Sequence, residues 1–331
     1  MLSRTADHLY WMSRYTERAE NTARLLEVNW QTSLLPQSEQ AAQAAWRAML
    51  EIFELTSGFD DKHASVEPAT VLSYMVQDMD NSSSIMSCLR AARENARAVR
   101  GAMTTDLWET INTTWLDAQR QVAQGALKIA PMDFFEWVKL RSNQSRGVHI
   151  GTMLRDEAFH FITLGIFIER ADNVARLLDV KFLAAAELMS HQPGHVGDFY
   201  YWAGLLRSLS AFENYRKSYR NAVTPTRVAE LLILSRRNPR SLVACMETIV
   251  DLLPKVRNDV SGRTEHEARA ILTSLRDTDI EEIFEQGIHD YLAELLTKIN
   301  QLALDISENF LVPIAAVDVT TTQTEPAQQA G

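Results

Sequence analysis

The sequence predicts an all-α protein, a duplicated helical bundle with two pseudo-symmetric halves, and three observations lead there. Of 331 residues, 46% are hydrophobic while only 12 are glycine and 9 proline, and the abundant Ala, Leu, Glu and Arg are strong helix formers. Strand signals are nearly absent. The third observation is a repeat. Tyr15-Thr-Glu-Arg-Ala-Glu-Asn-Thr-Ala-Arg-Leu-Leu26 returns 152 residues later as Phe167-Ile-Glu-Arg-Ala-Asp-Asn-Val-Ala-Arg-Leu-Leu178, with eight of twelve positions identical. Four of the eight identical positions are polar or charged, whereas unrelated amphipathic helices agree in their apolar pattern and drift in their polar one.

The elements follow in order. Apolar periodicity predicts a first helix over residues 3–30, with Ser3 or Thr5 as its cap and Pro36 ending the connection after it. Amphipathic stretches follow at 38–57, 68–79, 82–100, 105–129 and 131–150. Breaks are expected at the loop Ser57-Gly-Phe-Asp-Asp61, at Gly101 and at Pro131. Asn81 or Ser82 is the expected cap of the 82–100 helix, and the proline of Asn238-Pro-Arg-Ser241 suits a first helical turn. The second half opens with a helix over 153–190, interrupted by His191-Gln-Pro-Gly-His195, and continues with helices at 198–219, 225–237, 239–259, 263–275 and 278–310.

Further correspondences extend the repeat. Trp46 matches Trp202 and Phe59 matches Tyr215; Pro68, Val71, Asn81, Ser84 and Cys88 fall opposite Pro225, Val228, Asn238, Ser241 and Cys245. Two long copies make a pseudo-symmetric pair, unlike the many short units of a solenoid. The predicted organisation is residues 1–150 as the first helical repeat, 151–313 as the second packed on it, and 314–331, which lacks apolar periodicity, as a disordered tail.

A net charge of −10 argues against a general nucleic-acid binder, which needs a basic surface. Two cysteines in apolar helical context, Cys88 and Cys245, read as core residues in a reducing compartment. Asp7, His8, Arg14 and Glu17 interrupt the N-terminal apolar pattern, so neither a secretory leader nor a membrane span is expected there. A cytoplasmic location follows. Phosphate-binding glycine loops, nucleophile elbows, Cys-x-x-Cys and His-Glu-x-x-His are absent, and no cofactor is expected.

On a helical wheel, Tyr15, Ala19, Thr22 and Leu26 share one face, as do Phe167, Ala171, Val174 and Leu178; both faces are expected in the core. Glu17, Asn21 and Arg24 form a stripe opposite, repeated by Glu169, Asn173 and Arg176, with Arg18 and Arg170 between stripe and core face. Glu20 to Arg24 and Asp172 to Arg176 are acid-to-base pairs one turn apart, worth roughly 0.2–0.5 kcal/mol each if exposed. Those pairs leave Asn21 and Asn173 unexplained, since asparagine is a mediocre helix-interior residue. Two readings stand: a buried network in which the Glu-Arg clusters satisfy each other between the halves, or a ligand or partner site. A second stripe, Arg90, Arg93, Arg97 and Arg100, lies on one face of the first half only. It is either solvated, opposed by carboxylates such as those of the Glu-Arg motif, or turned toward an anion. Glu157 with His160, and Glu285 with His289, have the spacing of helical metal ligands, but satisfied structural histidines account for them better, and no metal site is expected.

The run Met1–Leu26, with Arg155-Asp-Glu157, Leu164-Gly165, Glu169-Arg170-Ala171-Asp172 and Arg93-Glu-Asn-Ala-Arg97, resembles the Alpha-E family, bacterial helical proteins recognised by a Glu-Arg motif and without an established biochemical function. The resemblance covers nearly the whole chain except the tail. It departs at Ile166, where an arginine or another polar residue is expected after Leu-Gly; the first half keeps Arg14 at the matching place. The resemblance implies association with ATP-grasp-type ligases and transglutaminase-like proteins, and hence a non-catalytic partner or scaffold role in making or processing a peptide-like product. In that role Arg18, Arg170, Arg93 and Arg97 would bind an acidic ligand or partner, oriented by Glu17, Glu169, Asn21 and Asn173 and accompanied by Arg24 and Arg176. The alternative is an enzyme or small-anion-binding protein with a site between the halves, a motif Glu serving as general acid or base and Arg as electrostatic stabiliser.

Overall fold

The computed structural model describes residues 1–36, 38–191 and 197–311, with side chains given for all of these except 187–191, 197 and 198. Among them there are 16 α-helices and no strand. The tail expected at 314–331 and most of the break expected at 191–195 lie outside the described residues.

Helix α1 (Ser3–Ser33) has no side-chain cap. Leu2 precedes it in extended conformation and its carbonyl accepts from the Thr5 and Ala6 amides, so neither Ser3 nor Thr5 caps. Burial of this helix against four others makes a cap dispensable. Helix α2 (Glu39–Ile52) is capped by the Ser38 hydroxyl. The expected loop at 57–61 is instead the short helix α3 (Thr56–Asp60), because the fully buried Phe59 anchors it in the core. Helix α4 (Pro68–Val76) opens on its proline, and α5 (Ile85–Ala98) is capped by Ser84. Asn81 does not cap α5, because its amide is committed to the Tyr74 carbonyl and to the Ser83 amide.

The stretch predicted at 105–129 divides into α6 (Thr105–Ala123) and α7 (Ala126–Ile129) at Gly125, whose φ of +80° only glycine adopts cheaply. Helices α8 (Pro131–Thr152) and α9 (Glu157–His191) follow. The stretch 198–219 divides into α10 (Gly197–Ser208) and α11 (Phe212–Tyr219) at Ser210, with φ +53°. Helix α12 (Pro225–Ile233) is capped by Thr224 and α13 (Leu242–Leu252) by Ser241; Pro239 lies in the preceding turn and not in the first helical turn. Helix α14 (Gly262–Asp277) comes next. Gly287 then separates α15 (Ile280–Gln286) from α16 (Ile288–Ile306).

Helix α1 is the hub. It packs against α9, α5, α8 and α10, while α9 packs against α16 and α13 on its other sides, and one continuous apolar core joins them. The α1–α9 crossing is set by Gly165, where a Cβ would collide with the Tyr10 carbonyl oxygen and the Ser13 hydroxyl. Leucine or alanine there would force the helices apart. This close approach brings the polar stripes of α1 and α9 within hydrogen-bonding range. Cys88 and Cys245 are free, fully buried thiols whose pKa burial pushes up to about 12. No helix among the described residues is long and apolar enough to cross a membrane.

Candidate functional site

Where α1 and α9 cross, the two Glu-Arg segments exchange partners. Arg18 of α1 donates from Nε to Glu169 Oε1 at 2.5 Å and from Nη2 to Oε2 at 3.0 Å. In return Arg170 of α9 donates from Nε to Glu17 Oε1 at 2.9 Å and from Nη2 to Oε2 at 3.3 Å. Each carboxylate then gathers further arginines. Arg14, one turn before Arg18, donates to Glu169 at 2.8 Å. Arg146 of α8 reaches Glu17 at 2.6 Å and Glu20 at 2.5 Å. Arg240, in the turn before α13, reaches Glu17 at 3.2 Å, the Asn21 side-chain carbonyl at 3.3 Å and Glu20 at 2.7 Å. Glu20 also accepts from Arg24 and from the Ser142 hydroxyl.

This is the buried network expected as one of the two readings, with one revision. Glu20 has no exposed surface, so its pair with Arg24 is part of the core rather than a helix-surface decoration. In the network, the three carboxylates Glu17, Glu20 and Glu169 face six guanidinium groups, those of Arg14, Arg18, Arg24, Arg146, Arg170 and Arg240.

The ionisation follows from that surplus. Burial acts to raise the pKa of Glu17 and the neighbouring Glu20 adds to it, but Arg170, Arg240 and Arg146 outweigh both and hold it below the ordinary carboxylate value. Glu20 is held low against its own burial by Arg240, Arg146 and Arg24. Arg18 and Arg14 overcome burial at Glu169 and bring it down to about 2. Burial pulls Arg240 downward despite Glu17 and Glu20, with Arg170 and Arg24 adding like-charge repulsion. All three carboxylates are anions at neutral pH.

One side of the network opens to a polar recess of about 200 Å³ whose lining includes Arg18, Asn21, Glu54, Glu169, Asp172 and Arg176. Asn173 also lines it. The Asn21 amide nitrogen is buried with no hydrogen-bond partner among the described residues, an unmet donor. Arg176 pairs with Asp172 at 2.9 Å and with Glu54 of the α2–α3 connection.

Of the residues singled out from sequence, the crossing thus unites Glu17, Arg18, Asn21, Arg24, Glu169 and Arg170 in or beside the network, and Asn173 and Arg176 at the recess. Arg93 and Arg97 are elsewhere. Arg93 binds Asn112 and Glu94, and Arg97 binds Glu94 from a largely exposed position, so this stripe is offset by its own helix and not by the motif carboxylates. Sequence reasoning missed Arg14, Glu20, Ser142, Arg146 and Arg240 as members. Arg14 carried a usable signal, lying one turn before Arg18. Arg146 and Arg240 reach Glu17 across 129 and 223 residues, beyond any local pattern. The paired Glu and His positions do not converge: Glu157 takes the amino terminus, and His289 binds Asp179 at 2.6 Å. Among the described residues no group of three or more His, Cys, Asp and Glu could hold a metal ion.

The Alpha-E family model, described as a predicted alpha-helical domain with a conserved ER motif, matches residues 1–311. An uncharacterised protein of Mycobacterium bovis is 25% identical over 332 residues, covering 92% of this chain and 36% of that protein. Two uncharacterised proteins of Mycobacterium tuberculosis match at the same identity and coverage. The chain therefore spans about a third of the length of the curated relatives it matches. No solved structure matches it.

Proposed function

The chain belongs to the Alpha-E family, and from that premise we propose that it is a cytoplasmic, non-catalytic helical partner or scaffold. Its partners would be an ATP-grasp-type amide ligase, a transglutaminase-like protein or both, acting in the synthesis or processing of a peptide-like product. The observation that carries the non-catalytic part is the saturation of Glu17, Glu20 and Glu169 by arginine. A general acid or base works best with a pKa near the operating pH; these carboxylates are pinned far below it and their lone pairs are occupied.

We also read the chain as two copies of one helical unit, residues 1–150 and 151–313. The reciprocal exchange Arg18 to Glu169 and Arg170 to Glu17 supports this, as do the matching caps Ser84 and Ser241 and the matching helix-opening prolines Pro68 and Pro225. On this reading the Glu-Arg motif is a device for locking the copies together. The recess beside it is where a partner's acidic group would dock, met by Arg18, Arg176 and the Asn21 amide.

Co-expression with the ATP-grasp-type ligase tests the proposal. The expected result is a complex that survives purification and is lost in Arg176→Ala with the fold intact. If no complex forms and ligase activity is unchanged by the protein, the partner reading fails. Binding of a small anion at the recess is favoured by the Asn21 donor, for which the described residues offer no partner. It predicts instead that phosphate or acetate alone raises the thermal midpoint of the isolated protein, and that Arg18→Ala removes the effect.

A further inference from the structure

Away from the Glu-Arg crossing, the C-terminal half of α1, the inner face of α2, the later turns of α9 and α10 enclose a cavity of about 500 Å³. Its wall is mostly apolar and built from small residues, among them Ala45, Ala48, Ala184 and Gly204, which leave the space that larger side chains would fill. Its size lies in the range of roughly 300–1,000 Å³ typical of small-molecule sites. Two polar groups break the apolar lining in a way that packing does not explain. Lys181 lines the cavity with no ion-pair partner among the described residues; its ammonium lies 5.2 Å from the centroid of the Tyr201 ring. Asn29 lines it too, and its amide nitrogen is buried without a hydrogen-bond partner among the described residues.

An unpaired ammonium and an unmet amide donor in an apolar chamber are costly to keep empty. Both are donors, and both therefore ask for an acceptor; a negative charge satisfies the lysine best. From this geometry we infer that the cavity is a binding site for an apolar monocarboxylate, such as a medium-chain acyl or aryl acid, whose carboxylate meets Lys181 and Asn29 while its hydrocarbon fills the space against α2 and α10. The inference does not depend on the partner reading, because the cavity and the recess at the Glu-Arg crossing have Ile52 in common but share no polar residue.

The titratable side chains lining the cavity are Lys181 of α9 and Tyr200 and Tyr201 of α10; those contributed by α1 and α2 are not titratable. Tyr201, whose hydroxyl donates to the Lys181 carbonyl, is pushed up by burial and stays neutral. Asp179, two residues before Lys181, is held by His289. Burial lowers the Lys181 ammonium to about 8, with no carboxylate to offset it. A bound carboxylate would restore the charge.

Calorimetric titration of the full chain with dodecanoate, and with dodecan-1-ol as an uncharged control of equal length, tests the inference. The expected result is saturable binding of one dodecanoate per chain, at least tenfold tighter than the alcohol. Lys181→Met is expected to abolish that preference while retaining alcohol binding. It removes a half-buried charge that no described residue pairs, so it should keep or raise the thermal midpoint, and lost binding cannot be put down to unfolding. Ala48→Phe, which occupies the cavity, should weaken both ligands. Dodecanoate affinity should fall about tenfold per pH unit above the Lys181 pKa, as the ammonium loses its proton. Absence of saturable dodecanoate binding to the wild type, equal affinity for acid and alcohol, or undiminished acid preference in Lys181→Met would overturn it.

Discussion

Glu17 and Glu169 occupy matching places in the repeated segment, yet the structure treats them differently. Glu169 is served by Arg14 and Arg18, both from α1, and borders a recess open to solvent. Glu17 is served by Arg146, Arg170 and Arg240, from α8, α9 and the turn before α13, and is fully buried. The difference traces to one position. Arg14 precedes Glu169's main partner by one turn, and its counterpart in α9 is Ile166, a buried apolar residue. With no arginine there, Glu17 draws its extra cations from two other elements. The same Glu-Arg pair thus ties two helices together on one side and four elements on the other. Glu17 is thus anchored from three other elements, while Glu169, also buried, borders the recess.

The largest effect that could break this comparison is expected from Arg240→Met. It leaves Glu17 and Glu20 buried with fewer cations, and breaking a buried pair from one side costs about 3–5 kcal/mol; urea denaturation measures it. A loss under 1 kcal/mol would show that Arg240 is not part of the anchor. Next comes Ile166→Arg, which should cost about 1–3 kcal/mol through overpacking and added positive charge beside Arg146 and Glu17. In the Ile166→Arg, Arg146→Ala double variant part of that loss should return, because the new guanidinium takes over the vacated position. A double variant showing the plain sum of the two single losses would remove the compensation argument.

The pH dependence sharpens the Glu169 side. Its carboxyl lies at about 2 in the folded protein against an ordinary 4.5. A depressed carboxylate pKa means that the unfolded chain binds more protons, so the stability it contributes is complete above 4.5 and is lost as pH falls toward 2. Urea midpoints across that window should therefore fall less steeply in Glu169→Gln than in the wild type. The smallest effect is expected from Arg97→Ala. Its pair with Glu94 is exposed, and the change should stay within about 0.5 kcal/mol by thermal denaturation.

Much of this architecture was legible in the chain because helices are written locally. The apolar period located nearly every helix, and the oddity of Asn21 and Asn173 in helix interiors marked the segment that proved to be the crossing. What escaped was non-local or conformational. Ser210 adopts a left-handed conformation with no residue signal for it, so one predicted helix was two. Phe59 drew a predicted loop into a helical turn through burial alone. Arg146 and Arg240 are ordinary arginines in sequence and acquire their role only when α8 and the turn before α13 close over α1. The i,i+4 pair of Glu20 and Arg24 was legible, but its depth was not, since spacing says nothing about which face a third helix will cover.

The two glutamates are unequal, and a paired stability measurement tests that most directly. Glu17→Gln and Glu169→Gln, unfolded in urea at neutral pH under identical conditions, each replace a carboxylate by its neutral isostere. Glu17→Gln leaves three guanidinium groups with diminished compensation in a sealed site. Glu169→Gln leaves two, one of them, Arg18, lining the recess, where water can take up part of the deficit. The predicted result is a loss for Glu17→Gln larger by about 1 kcal/mol or more. Equal losses, or a larger loss for Glu169→Gln, would contradict the account.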